Sequence, residues 1–93
     1  MRVEHKKSFK KALKRYNGCQ QEEICACVQA LVDSIDKFQI PKGLGLKLLA
    51  SKFKIWEARV NIDIRILFRY ENDLLEIGFV GNHDQVKRYL KVL

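Results

Sequence analysis

The residues from Phe53 to Val80, FKIWEARVNIDIRILFRYENDLLEIGFV, most constrain what this chain folds into, because apolar and polar side chains alternate along them with a period of two. In the middle, Ile62, Ile64, Ile66, Phe68 and Tyr70 share one parity, and Asp63, Arg65, Leu67 and Arg69 share the other. A strand points successive side chains to opposite faces, so this one has an apolar face and a charged face. Just before it, Trp56, Ala58 and Val60 alternate with Ile55, Glu57 and Arg59. Asn61 marks a tight turn between the two strands, and Glu71, Asn72 and Asp73 mark the turn into a third. The expectation is an antiparallel meander that gathers Glu57, Arg59, Arg65 and Arg69 on one face.

The rest of the chain is read as support for that sheet. Met1 to His5 suits a short edge strand. Phe9, Ala12, Leu13 and Tyr16 recur at helical spacing with Ser8 as N-cap, and Asn17 and Gly18 stop that helix. A second helix follows, with Glu22 and Glu23 at its positive end and the stripe Ile24, Cys27, Val28, Leu31, Ile35 and Phe38. Pro41, Gly43 and Gly45 end it, and the run to Ser51, with Lys42, Lys47 and nearby Lys52, reads as a basic connector. After Val80, a loop at Gly81-Asn82-His83-Asp84 leads to a helical turn or two through Val86, Tyr89, Leu90 and Leu93. The predicted class is α+β: two N-terminal helices packed on one face of a mostly antiparallel sheet, with a short C-terminal helix.

With 93 residues, residues 1–93 make a single domain, because a chain this short buries only about 60–65% of its unfolded surface and supports one core. No apolar run approaches the ~18 residues of a membrane-spanning helix, and Met1 to Arg15 lacks the apolar block of an export signal. A cytoplasmic protein with no membrane partner is expected. Eighteen Lys and Arg against eleven Asp and Glu give a net charge of +7, which favours polyanionic partners. Arg2, Lys6, Lys7, Lys10, Lys11, Lys14 and Arg15 crowd the first helix. Cys19, Cys25 and Cys27 lack the spacing of a zinc site and read as reduced thiols, Cys27 in the core. The glycines form neither a dinucleotide-binding nor a phosphate-binding loop.

Cleaving a phosphodiester requires a base to activate the nucleophile, cations for the charge of the transition state, and an acid for the leaving oxygen. Glu57 or His83 qualifies as the base, Arg59 and Arg65 as a bidentate phosphate clamp, and His83 or Tyr89 as the proton donor. No Ser or Cys stands beside a histidine as in a covalent triad, and the histidines, His5 and His83, lie at opposite ends of the sequence, so neither a metal nor a cofactor is expected. The plainer readings are a surface ion pair of little energetic value for Glu57 and Arg59, a turn residue for His83, and a core residue for Tyr89.

The run IWEARVNIDIRILFRYENDLLEIGFVGNHDQVKRYL resembles the C-terminal half of the RelE/ParE superfamily of toxins: a W-E-x-R-V strand, an I-R-I-L-F strand, a third strand ending in V-G, and a histidine just beyond it. SFKKALKRY resembles that superfamily's first helix. The resemblance implies a cytoplasmic toxin neutralised by a cognate antitoxin protein and, in the RelE branch, a metal-independent endoribonuclease that cuts mRNA on the ribosome. It also implies that Arg65 contacts the phosphate, that His83 falls where RelE has an arginine, and that Tyr89 stands near the scissile nucleotide; Arg59 and Arg69, read from the charged face of the strands, are the further phosphate binders expected. Ile55 and Glu57 occupy the places of two RelE lysines, so a lysine mechanism does not transfer and Glu57 is the substitute base. The alternatives are a ParE-like inhibitor of DNA gyrase and a noncatalytic basic RNA-binding relative, since a shared fold does not fix function.

Overall fold

The computed structural model describes residues 1–37, 45–50 and 52–93. Phe38, Pro41, Lys42 and Gly43, assigned above to the second helix and the connector, lie outside them. Five strands form one sheet: β1 (Arg2–His5), β2 (Lys47–Ala50), β3 (Ile55–Arg59), β4 (Arg65–Glu71) and β5 (Leu74–Gly81). Their spatial order is β1-β5-β4-β3-β2, with β1 parallel to β5 and every other pair antiparallel. The helices are α1 (Lys7–Leu13), α2 (Gly18–Asp36) and α3 (His83–Lys91). This is the expected α+β architecture, and no helix among the described residues is long and apolar enough to cross a membrane.

The period-two pattern decides which face is buried. Ala58, Ile64, Ile66, Phe68, Leu75, Ile77 and Val80 form one core with Phe9 and Ala12 of α1 and Ile24, Cys27, Val28 and Leu31 of α2. Ile66, Ile77 and Leu31 are wholly buried, each worth about 1.5–3 kcal/mol of transfer free energy. The hairpin between β4 and β5 turns at Asn72 and Asp73, whose φ values of 53° and 59° are those of the tight turn that matches strand twist. Asn61 makes its turn by accepting hydrogen bonds from the Asp63 and Ile64 backbone N–H groups at 2.8 and 2.9 Å.

Five local expectations are corrected. Ser8 caps nothing: the N-cap of α1 is Lys6, and the Ser8 hydroxyl donates to the Gly78 carbonyl at 2.6 Å, fastening α1 to β5. Asn17 and Gly18 open α2, with Asn17 and Gln20 exchanging the reciprocal bonds of a capping box. Part of the basic connector is strand β2, paired antiparallel to β3 through Lys47↔Glu57 and Leu48↔Trp56. Ile62 leaves the buried set, 84% exposed, because β4 begins only at Arg65. The expected loop at residues 81–84 is likewise short, since Asn82 caps α3 in a second capping box with Gln85 and His83 is already helical.

Candidate functional site

The face of the sheet away from α1 and α2 carries the charged parity. On β3 and β4 the register sets Ile55 opposite Arg69, Glu57 opposite Leu67 and Arg59 opposite Arg65. Two guanidiniums directly across a strand pair repel. Glu57, diagonal to Arg65, relieves this: its Oε1 lies 3.0 Å from Arg65 Nε, and both side chains are largely buried. Arg59 is exposed, and among the described residues it forms no ion pair. The result is one arginine fixed by a carboxylate beside one that is open to an anion.

β5 ends beside Arg65 in the pair Arg65↔Gly81, and there the chain turns into α3. A Cβ on Gly81 would stand 2.8 Å from Phe79 Cε2 and 2.9 Å from Gln85 Cβ, so the turn admits only glycine without a shift of α3. This close approach brings His83, in the first turn of α3, to the same cavity as Arg65, a cleft of about 210 Å³ lined also by Ile62, Asp63, Asn82 and Asp84. Of the proposed residues, Glu57, Arg59, Arg65 and His83 therefore gather at one end of the open face.

Arg69 and Tyr89 lie apart from that cluster. Arg69 is four residues further along β4, about 13 Å at strand rise. It is already paired with Glu71 at 2.7 Å, which Lys54 also holds at 2.6 Å. Lys54 first and Arg69 second pull the Glu71 carboxyl down to about 2. Tyr89 stacks on Phe79, ring centroids 4.6 Å apart and planes 6° off parallel. Its hydroxyl lies over Gly78, 3.5 Å from where a Cβ would stand, and the ring lines a different cavity.

Lys47 was not singled out for this site by sequence, yet its pairing with Glu57 sets it on the same face at the edge of the arginine cluster. The only signal in the sequence is its charge; its register is a property of the folded sheet. Asp63 and Asp84 were also missed, and both line the Arg65–His83 cleft. Cys27 is core as expected: burial pushes its thiol up to about 11, and its Sγ contacts the Arg59 carbonyl. Cys19 and Cys25 are exposed free thiols.

No protein-family model and no curated relative matches the chain. Solved structures do. The chain is similar to one in the DinJ–YafQ complex of E. coli, with a TM-score of 0.74 and 18% identity over 92% of this chain and 98% of that one. It is similar to one in the RelB–RelE antitoxin–toxin complex of Methanococcus jannaschii, with a TM-score of 0.71 and 18% identity over 94% and 98%. A metal-bound toxin from Helicobacter pylori has a TM-score of 0.70 and 16% identity over 92% and 98%. The fold is therefore RelE-like, as the strand motifs implied.

Proposed function

We propose that this chain is the toxin of a toxin–antitoxin pair and acts as a ribosome-dependent mRNA endonuclease. The observation that carries the reading is the arginine pair of β3 and β4. Arg59 faces Arg65 across the ladder, Glu57 holds Arg65, and His83 shares the Arg65 cleft. Placing two like charges opposite each other costs stability that an anionic ligand returns. The relatives in fold include chains solved as toxin–antitoxin complexes, which supports a cognate antitoxin as a second partner.

In this mechanism the 2′-hydroxyl of one nucleotide attacks the adjacent phosphorus and the bond to the 5′-oxygen breaks. Arg65 and Arg59 bind the non-bridging oxygens, whose charge grows in the transition state. His83 carries a proton at one of the two reacting oxygens, as an imidazole with one donating and one accepting nitrogen can. Glu57, engaged with Arg65, first aims that guanidinium; it serves as base only by releasing it. Arg69 guides a more distant phosphate, and Tyr89 contacts a neighbouring nucleotide. The chemistry uses side chains alone and takes place in the cytoplasm, where the programmed ribosome is the substrate.

The test is single-turnover cleavage of mRNA on a programmed ribosome, alongside expression of the chain without a partner. Growth should arrest and translation should stop before DNA replication. Healthy growth at high soluble expression would count against a toxin, and early DNA breaks with translation intact would move the assignment to gyrase inhibition.

A further inference from the structure

The second cavity of the open face lies beyond the arginine cluster, under α3. It has a volume of about 110 Å³ and is lined by Leu67, Gly78, Tyr89, Glu76, Lys6 and Arg69 among others. Leu67, 1% exposed despite standing on the charged parity of β4, gives the cavity an apolar wall. Gly78 is the extra residue of a bulge, since Leu67 pairs with Phe79 and Phe68 with Ile77. Having no side chain, it leaves open the space beneath the Tyr89 hydroxyl. The polar groups stand along one side: Glu76, with a side chain only 20% exposed, has Lys6 Nζ at 3.6 Å.

We propose that this cavity holds one base of a single-stranded RNA whose backbone runs along β4, and that it selects bases carrying amino donors. The proposal rests on the mRNA-cleavage reading and adds a specificity site to it. A phosphate is a poor occupant, because the walls include Phe53, Ile55, Leu67 and Phe68 and the two cations, Lys6 and Arg69, are already answered by Glu76 and Glu71. A flat, partly apolar ring with polar edges fits, and stacking on such surfaces is how single-stranded nucleic acids are held. The position is also right: Arg69 on the rim and Arg65 at the cleavage cleft lie on the same face of the same strand, about 13 Å apart. A backbone crossing both arginines delivers a nearby base to the opening.

Glu76 sets the preference. A carboxylate only accepts hydrogen bonds. Guanine offers it an amino group and an adjacent ring N–H, adenine and cytosine offer an amino group, and uracil sets two carbonyl oxygens beside its single N–H. The order expected is guanine first and uracil last.

The experiment titrates the ¹⁵N-labelled full chain with guanosine and with uridine 5′-monophosphate, following the Gly78 amide. Saturable shifts at Gly78 are expected, with half-saturation at about tenfold lower concentration for the guanosine nucleotide. Glu76→Gln should abolish that preference. Gly78→Ala should weaken binding several-fold while folding normally, because the added Cβ meets Tyr89 and the Leu67 carbonyl at 3.5 and 3.7 Å, ordinary contact distances. Equal affinity for the two nucleotides, or shifts that bypass Gly78, would overturn the proposal. No ribosome and no cleavage step is present, so a negative result strikes the pocket alone. Failure to cut mRNA by a protein that binds as expected would strike the cleavage reading alone.

Discussion

The two faces of β4 are made by the same seven residues and do opposite work. Toward the helices, Ile66 and Phe68 are buried in a continuous apolar core. Toward the open side, Arg65 stands against Arg59 and depends on Glu57 for compensation. The helix-side face supplies cohesion, and the other carries an electrostatic conflict that an isolated sheet would shed. The cohesive face and the proposed anion-binding face are thus separated by a single residue step along one strand. The lesson is that the charged face keeps its geometry because the opposite face has already determined the register.

That separation is open to direct attack. The largest effect is expected from Ile66→Ala, which opens a cavity at a fully buried position and should destabilise the fold by about 2–5 kcal/mol. Urea unfolding measures this, and cleavage by the remaining folded protein should be unchanged. Arg65→Ala should cost about 10²–10³-fold in single-turnover cleavage, while Arg65→Lys, keeping the charge without the guanidinium fork, should keep stability and still lose more than about tenfold. Full activity in Arg65→Ala would erase the distinction between the faces.

His83→Ala is a subtler probe. It should slow single-turnover cleavage by about 10²-fold, the low end for a lost proton-transfer group, and an unchanged rate would hand proton transfer to Glu57. The smallest effect concerns Glu71, whose exposed carboxyl Lys54 and Arg69 hold at about 2, below its ordinary 4.5. A depressed folded value means that its stabilising contribution is present above about pH 4.5 and is lost as the pH falls toward 2. The difference in urea midpoint between wild type and Glu71→Gln should shrink over that window and with added salt.

The meander, the parity of its faces and the joint placement of Glu57, Arg59 and Arg65 were legible because alternation and turn residues are local signals. Strand β2 was not legible. Lys47–Ala50 is short and follows a glycine-rich run, and pairing with β3 alone makes it a strand. The Ser8 hydroxyl found a carbonyl seventy positions away, a competitor no local capping rule contains. His83 fell at the expected rim, though in a helix rather than a loop, because the Asn82–Gln85 capping box begins α3 there. The direction of Tyr89 was beyond sequence altogether: its spacing implied a helix, but the stack on Phe79 and the gap over Gly78 turn the ring away from the Arg65–His83 cleft.

Gly81 has a practical bearing on how this protein is dissected. Its neighbours leave no room for a Cβ, so a side chain there pushes against Phe79 and against Gln85 of α3, the helix that carries His83. If the chain is the toxin proposed above, a library of random variants selected for harmless expression should return substitutions at Gly81 alongside those at Arg65. A hit map would then report a catalytic glycine that touches no substrate. Transplanting α3 with its own Gly81 turn, rather than single residues, is the way to move this half of the site onto another sheet.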